Sequence, residues 1–206
     1  MVVQTRARQK IIDSALALIR EKGYEATTVD ALCAAAGVTK GAFFHHFKSK
    51  EDLAVAAADH WSTMTGELFR NAPYHQPEDP LARVLGYVAF RKAILQGAIP
   101  QFTCLVGMMV QETYDTHPAI RDACYRSIFG HADVLARDVE LARERYAPDA
   151  PWSAKSLALH TQSVIQGAFV LAKASGDPSV AADSIDHLHR YIELLFGQQP
   201  RPGASH

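Results

Sequence analysis

No stretch of this sequence alternates apolar and polar residues with the period of two that a half-buried strand requires, and no internal repeat or low-complexity tract interrupts it. No run approaches 18 uninterrupted apolar residues, so no membrane-spanning helix is expected. The first ten residues, MVVQTRARQK, lack the apolar core of a signal peptide. Cysteine is scarce. Cys33, Cys104 and Cys124 are odd in number and form no CxxC, which excludes a disulfide framework and a zinc ribbon and points to a reducing, cytoplasmic location. Walker A, GxSxG, HExxH and GxGxxG motifs are all missing. Without a nucleophile, base or metal constellation, no catalytic residue and no cofactor are expected. Histidine is plentiful but badly spaced for a metal. His45 and His46 are neighbours pointing to different sides of a helix, and His187 and His189 are two apart, where an i, i+4 pair would converge on one ion.

What is present is helical periodicity from end to end. The chain has 206 residues, 48% hydrophobic and 21% charged, enough for a sizeable core in one or two domains. Its charge is unevenly spread. Residues 1–50 carry eight Lys or Arg against four Asp or Glu, while the remaining 156 residues carry a net −5 of the total −1. A basic end on an acidic body suits contact with nucleic acid at that end alone. The first helix is predicted from about Thr5 to Lys22, ended by Gly23, with Arg6 and Arg8 as a basic arm or a frayed end. A long helix is predicted from Ser49 to about Arg70 with Leu53, Ala57, Trp61, Met64 and Leu68 on one side. After the proline-rich loop 71–80, Asp79-Pro80 is a cap followed by proline at the first helical position. Further helices are predicted over Leu81–Leu95, Phe102–Tyr114, Pro118–Tyr146, Ser153–Ser175 and from Asp177-Pro178 to about Leu195. The fold class is all-α, with about nine helices.

The most informative stretch is Thr27–Lys50, TTVDALCAAAGVTKGAFFHHFKSK. Val29, Leu32, Cys33 and Ala36 form one apolar helical face, with Thr27 or Thr28 as cap and Asp30 in the first turn, where negative charge is favoured. Gly37 supplies a helix stop, and Thr39 caps a second helix. Val38 and Phe43 have hydrophobic-staple spacing. Phe43 and Phe47 point inward, leaving Lys40, Gly41, Phe44 and His45 outside. Two short helices meeting at a glycine turn, the second one exposed, describe a helix-turn-helix.

This stretch resembles the DNA-binding motif of the TetR family of bacterial regulators. The matching residues are Thr27-Thr28, Ala34 through Gly41, His45-His46-Phe47 and Ser49 through Leu53. The resemblance covers roughly the first quarter to third of the chain; beyond it only the helical layout is similar. Phe44 stands where the family usually has Tyr, so a phosphate-reaching hydroxyl is missing there. The resemblance implies an N-terminal three-helix DNA-binding domain at 5–65 with its motif at 28–47. A long helix would join it to a ligand-binding and dimerisation domain at 66–197, followed by a flexible tail at 198–206. It also implies a sequence-specific homodimeric regulator of double-stranded operator DNA. Thr28 and Lys50 would hold phosphates, Lys40 and His45 would read bases, Gly41 would allow close approach, and Thr39 and Phe44 would complete the contact surface.

By the same resemblance the body is expected to hold a small, largely apolar effector that releases the protein from its operator. Trp61, Met64, Phe102, Cys104 and Met108 are candidate pocket residues, since the apolar stretch Phe102–Tyr114 is too apolar for one stripe and Met is an adaptable lining. Leu188, Tyr191, Ile192 and Leu195 are expected to meet a second copy. Two alternatives stand beside this reading: a redox or electrophile sensor acting through Cys104, and a constitutive DNA-binding protein whose body only dimerises or binds a protein partner.

Overall fold

The computed structural model describes residues 2–197. Among them are ten α-helices and no strand. They are α1 (Val2–Lys22), α2 (Val29–Ala36), α3 (Lys40–His46), α4 (Lys50–Arg70), α5 (Pro80–Ala93), α6 (Ile99–Phe102), α7 (Leu105–Thr113), α8 (Pro118–Tyr146), α9 (Ala154–Ser175) and α10 (Ser179–Leu195), with a 3-10 turn at Pro73–His75 before α5. The all-helical expectation holds. The count is ten because Ile99–Phe102, where no helix is expected, forms a short helix of its own, and the helix expected from Phe102 starts after Thr103–Cys104. Cys104 caps α7 there, its Sγ accepting the Gly107 N–H at 3.4 Å. Helix α1 begins at Val2 rather than near Thr5. The tail expected at 198–206 lies outside the described residues.

Packing divides the chain into two compact units: residues up to Phe69 with Thr103–Gly130, and Arg70–Phe102 with the residues from His131 onward. The first unit closes around Ile11, Ile12, Ala15 and Ile19 of α1, Leu32 of α2, Phe43 of α3 and Leu53 and Ala57 of α4. Leu105 and Met109 of α7 and Ile120 of α8 complete it. These side chains recur at helical spacing, and removing each from water is worth about 1.5–3 kcal/mol for the larger ones. Helix α4 outruns this core. Trp61 is its last residue packed there, while Met64 and Leu68, expected on the same face, are exposed.

In the second unit α10 packs against α9 and α5. Ala181, Ile185, Leu188 and Ile192 form one buried stripe along α10, facing a core that includes Val84 and Val88 of α5 and Leu157 and Ile165 of α9. Two of the four residues expected to meet a second copy lie in this stripe. Leu188 and Ile192 are 2% and 0% exposed in the single chain. The most apolar stripe of α10 is consumed by the chain's own core. The outward faces instead carry Tyr191 and Leu194 on α10 and Val170 and Leu171 on α9, all at least 43% exposed, with Leu195 half-buried between the two sides.

Candidate nucleic-acid interface

The helix-turn-helix is assembled from local bonds. Thr28 caps α2, its Oγ1 accepting the Ala31 N–H at 3.1 Å, and Thr39 caps α3 by accepting the Ala42 N–H at 3.2 Å. Between them Gly37 takes a left-handed conformation with φ 63°, which a side chain would disfavour. The Gly37 N–H donates to Ala34 and the Val38 N–H to the Cys33 carbonyl, the paired bonds that close a helix C-terminus. Phe43 and Phe47 are 0% and 2% exposed, as their spacing predicts. Their burial fixes the rotation of α3 and turns Lys40, Gly41, Phe44 and His45 outward.

The outward residues differ in their company. Both capping threonines are exposed, and each hydroxyl uses one lone pair for its cap while its proton remains available to donate to a phosphate oxygen. Gly41 has no internal reason to be glycine. Its φ is not positive, and a Cβ there would meet only Thr39 Oγ1, at an ordinary 3.7 Å. Phe44 is 55% exposed and meets Phe43 edge-on, with ring centroids 5.1 Å apart. The His45 ring lies 5.0 Å from that of His46. Lys40 is paired with Asp30 of α2 at 2.8 Å, and this hydrogen-bonded carboxylate raises its pKa.

Lys50, expected at a phosphate, is occupied in the free protein. Its Nζ donates to the Tyr24 carbonyl at 3.2 Å, sits 4.0 Å from the centroid of the Tyr24 ring and lies 4.0 Å from a Glu25 carboxylate oxygen. Arg8 lies with its guanidinium 5.2 Å from the Phe47 ring. The pairing of Asp30 with Lys40 and of Tyr24 with Lys50 escaped the sequence reading. Each partner lies outside the i, i+4 window in which spacing is informative.

Trp61, Met64, Phe102, Cys104 and Met108 are the residues expected to line an effector pocket. Trp61 and Cys104 pack on the first unit's core, with the Arg20 guanidinium 5.3 Å from the Trp61 ring. Met108 is half-buried in α7, and Met64 is exposed. Phe102 belongs to the second unit, its ring 6.0 Å from Phe169. An open groove of about 390 Å³ in the first unit is lined by other residues, among them Arg8, Gln9, Asp52, Asp59 and His60. Of the thiols, Cys33 and Cys124 are buried and Cys104 is half-buried. Burial pushes the Cys124 thiol up to about 12.

In the second unit a half-buried His131 and the buried Tyr87, Arg91 and Gln162 form a polar set that the sequence did not disclose. The Tyr87 hydroxyl lies 2.8 Å from His131 Nε2, accepts from Gln162 Nε2 at 2.7 Å and has Arg91 Nη1 at 3.5 Å. Burial, then the Arg91 charge, pulls the His131 pKa down to about 3.

Comparison with known proteins finds relatives of the whole helical layout. Residues 11–57 match the family described as bacterial regulatory proteins, tetR family, and residues 80–182 match the transcriptional regulator LmrA/YxaF-like C-terminal domain. The chain is 39% identical over 158 residues to the HTH-type transcriptional regulator AcrR of Shigella flexneri, a match covering 68% of this chain and 74% of that protein. It is 32% identical over 106 residues to the transcriptional regulator AcuR of Cereibacter sphaeroides, covering 52% of this chain and 48% of AcuR. Against AcuR, then, the chain spans about half the relative's length. The crystal structure of a regulatory protein TetR from Rhodobacter sphaeroides superposes with a TM-score of 0.79 at 25% identity, covering 90% of this chain and 98% of that one.

Proposed function

The chain belongs to the TetR family of bacterial DNA-binding transcriptional regulators, which are not enzymes, and from that premise we propose that it is a homodimeric repressor released from its operator by a small, largely apolar effector. In this reading residues 5–65 bind DNA and residues 66–197 bind the effector and dimerise. Each α3 enters the major groove. Thr28, Thr39 and Lys50 hold the backbone, and Lys40 and His45 reach base edges. Two copies read half-sites about 34 Å apart, which explains why seven residues of recognition helix suffice. An effector changes operator affinity only by binding one arrangement of the recognition helices better than another.

The observation that carries the DNA-reading half is Gly41. Glycine inside a helix costs about 1 kcal/mol relative to alanine, and nothing within the chain needs the space. A DNA surface pressed against the start of α3 would need it. The test is Gly41→Ala, assayed against a duplex that the wild-type protein selects from a random-sequence library. We expect the variant to unfold at an equal or higher temperature and to bind the selected duplex more weakly. Unchanged binding by a stabilised variant would remove α3 from the interface.

A further inference from the structure

In the first unit, Glu112 of α7 sits against the loop that joins α1 to α2. Its Oε1 accepts the Tyr24 N–H at 3.2 Å and its Oε2 the Glu25 N–H at 2.9 Å. A carboxylate that takes two successive backbone donors makes charge-assisted bonds, roughly twice as strong as neutral ones. The loop is shaped for it. Gly23 has φ 92°, and a Cβ there would run into Glu112 Oε1. The neighbouring elements close on the same residues: α1 packs on α7, and the His117 ring meets the Tyr24 ring edge-on at 5.3 Å.

From Tyr24 the bonding continues in two directions. Its carbonyl accepts from Nζ of Lys50, the first residue of α4, and from the Thr27 N–H at 3.1 Å. Thr27 donates its hydroxyl to the Gly23 carbonyl at 2.6 Å, and Thr28, the next residue, caps α2. One carboxylate on α7 therefore holds the peptide to which both the cap of α2 and the start of α4 are tied. The segment carrying it, Thr103–Gly130, is joined at both ends to chain of the second unit.

We infer that Glu112 is a positioning residue for DNA binding: by clasping the Tyr24–Glu25 backbone it sets where α2 and the beginning of α4 stand, and operator affinity follows the state of this clasp. The inference rests on the DNA-binding reading above. It adds a residue more than sixty positions beyond the helix-turn-helix. A carboxylate that merely stabilised the fold would alter melting and leave the affinity of the folded protein alone.

The experiment compares full-length wild type, Glu112→Gln and Glu112→Ala. Binding to the wild-type-selected duplex is measured at a temperature where all three are folded, beside amide hydrogen exchange and thermal unfolding. Glutamine keeps the volume and one acceptor, so a graded loss is expected. Affinity should fall by about fivefold or more for Gln, the lower end of measured coupling between sites, and further for Ala. Exchange should quicken at Tyr24, Glu25 and the first turn of α2, with α9 and α10 unchanged. Affinities within about twofold of wild type, despite faster exchange at Tyr24 and Glu25, would overturn the inference. So would wild-type exchange at those amides in Glu112→Ala. Should Ala fail to fold, Gln decides alone. If wild type selects no duplex, the DNA-binding reading itself fails. Exchange then decides the clasp: faster exchange spreading into α2 and α3 supports it, and confinement to Tyr24 and Glu25 refutes it.

Discussion

Lys40 and Lys50 carry the same charge ten residues apart and keep different company. Lys40 is exposed at the first position of α3 and paired with Asp30, itself on the surface. Lys50 is bound to the Tyr24 carbonyl and rests on that residue's ring. Alanine at the two positions should therefore have different consequences. Lys40→Ala should leave unfolding unchanged, weaken duplex binding by about 1–3 kcal/mol and relax preference at one operator position. Lys50→Ala should lower stability by about 1 kcal/mol, since it removes a hydrogen bond and a cation–ring contact. Its effect on binding should be alike for all duplexes, with a shallower salt dependence. Titrations of one selected duplex and its single-base variants at several salt concentrations separate the two patterns. Sequence-blind loss in Lys40→Ala would strip Lys40 of its reading role.

At the scale of elements, what the sequence made legible is what local bonds determine. The caps at Thr28 and Thr39 and the stop at Gly37 each act within five residues, so the helix-turn-helix and its outward residues are legible in the sequence. Contacts between distant residues could not. Tyr24 meets Lys50 across 26 positions and Glu112 across 88, and no spacing rule reaches that far. An apolar stripe likewise says which face is buried and not what covers it, and Leu188 and Ile192, expected to meet a second copy, are buried within the single chain. The Tyr87, His131 and Gln162 set joins α5, α8 and α9 in the same nonlocal way, and it leaves a measurable trace. His131 in the folded chain titrates at about 3, against 6.5 for a free imidazole. Below 6.5 the unfolded chain takes a proton that the folded chain refuses. The stability this group contributes is therefore full above about 6.5 and is lost as pH falls toward about 3, at a limiting slope of about 1.4 kcal/mol per pH unit. His131→Gln, which can still hydrogen-bond and does not titrate, should flatten the denaturation midpoint across that window by close to one proton. An unchanged pH profile would mean that the folded chain does not hold His131 neutral.

The whole molecule presents, on the second unit, an outward face built from α9 and α10. Val170, Leu171 and Leu194 are exposed there, and the His160 and Tyr191 rings meet at 5.2 Å across the two helices. A lone exposed leucine needs no explanation, but exposed apolar side chains on two adjoining helices are candidates for contact with a partner. Pairing this face with its own copy makes a self-complementary, four-helix contact, and a stable interface of this kind buries about 1,200–2,000 Å² in all. The side chains that decide the matter are then the outward ones. Leu171→Glu and Leu194→Glu place a charge where a dimer would strand it without a partner. Both should sediment as folded monomers at concentrations where the wild type is dimeric. Leu188→Glu buries its charge in the single chain's core and should unfold the protein instead, visible as lost helical circular dichroism. The monomers should also bind the selected duplex far more weakly, because the second recognition helix no longer benefits from the effective concentration that tethering provides. A Leu194→Glu protein that stays dimeric would move the interface elsewhere. A Leu188→Glu protein that stays folded and becomes monomeric would restore the inner stripe as the contact.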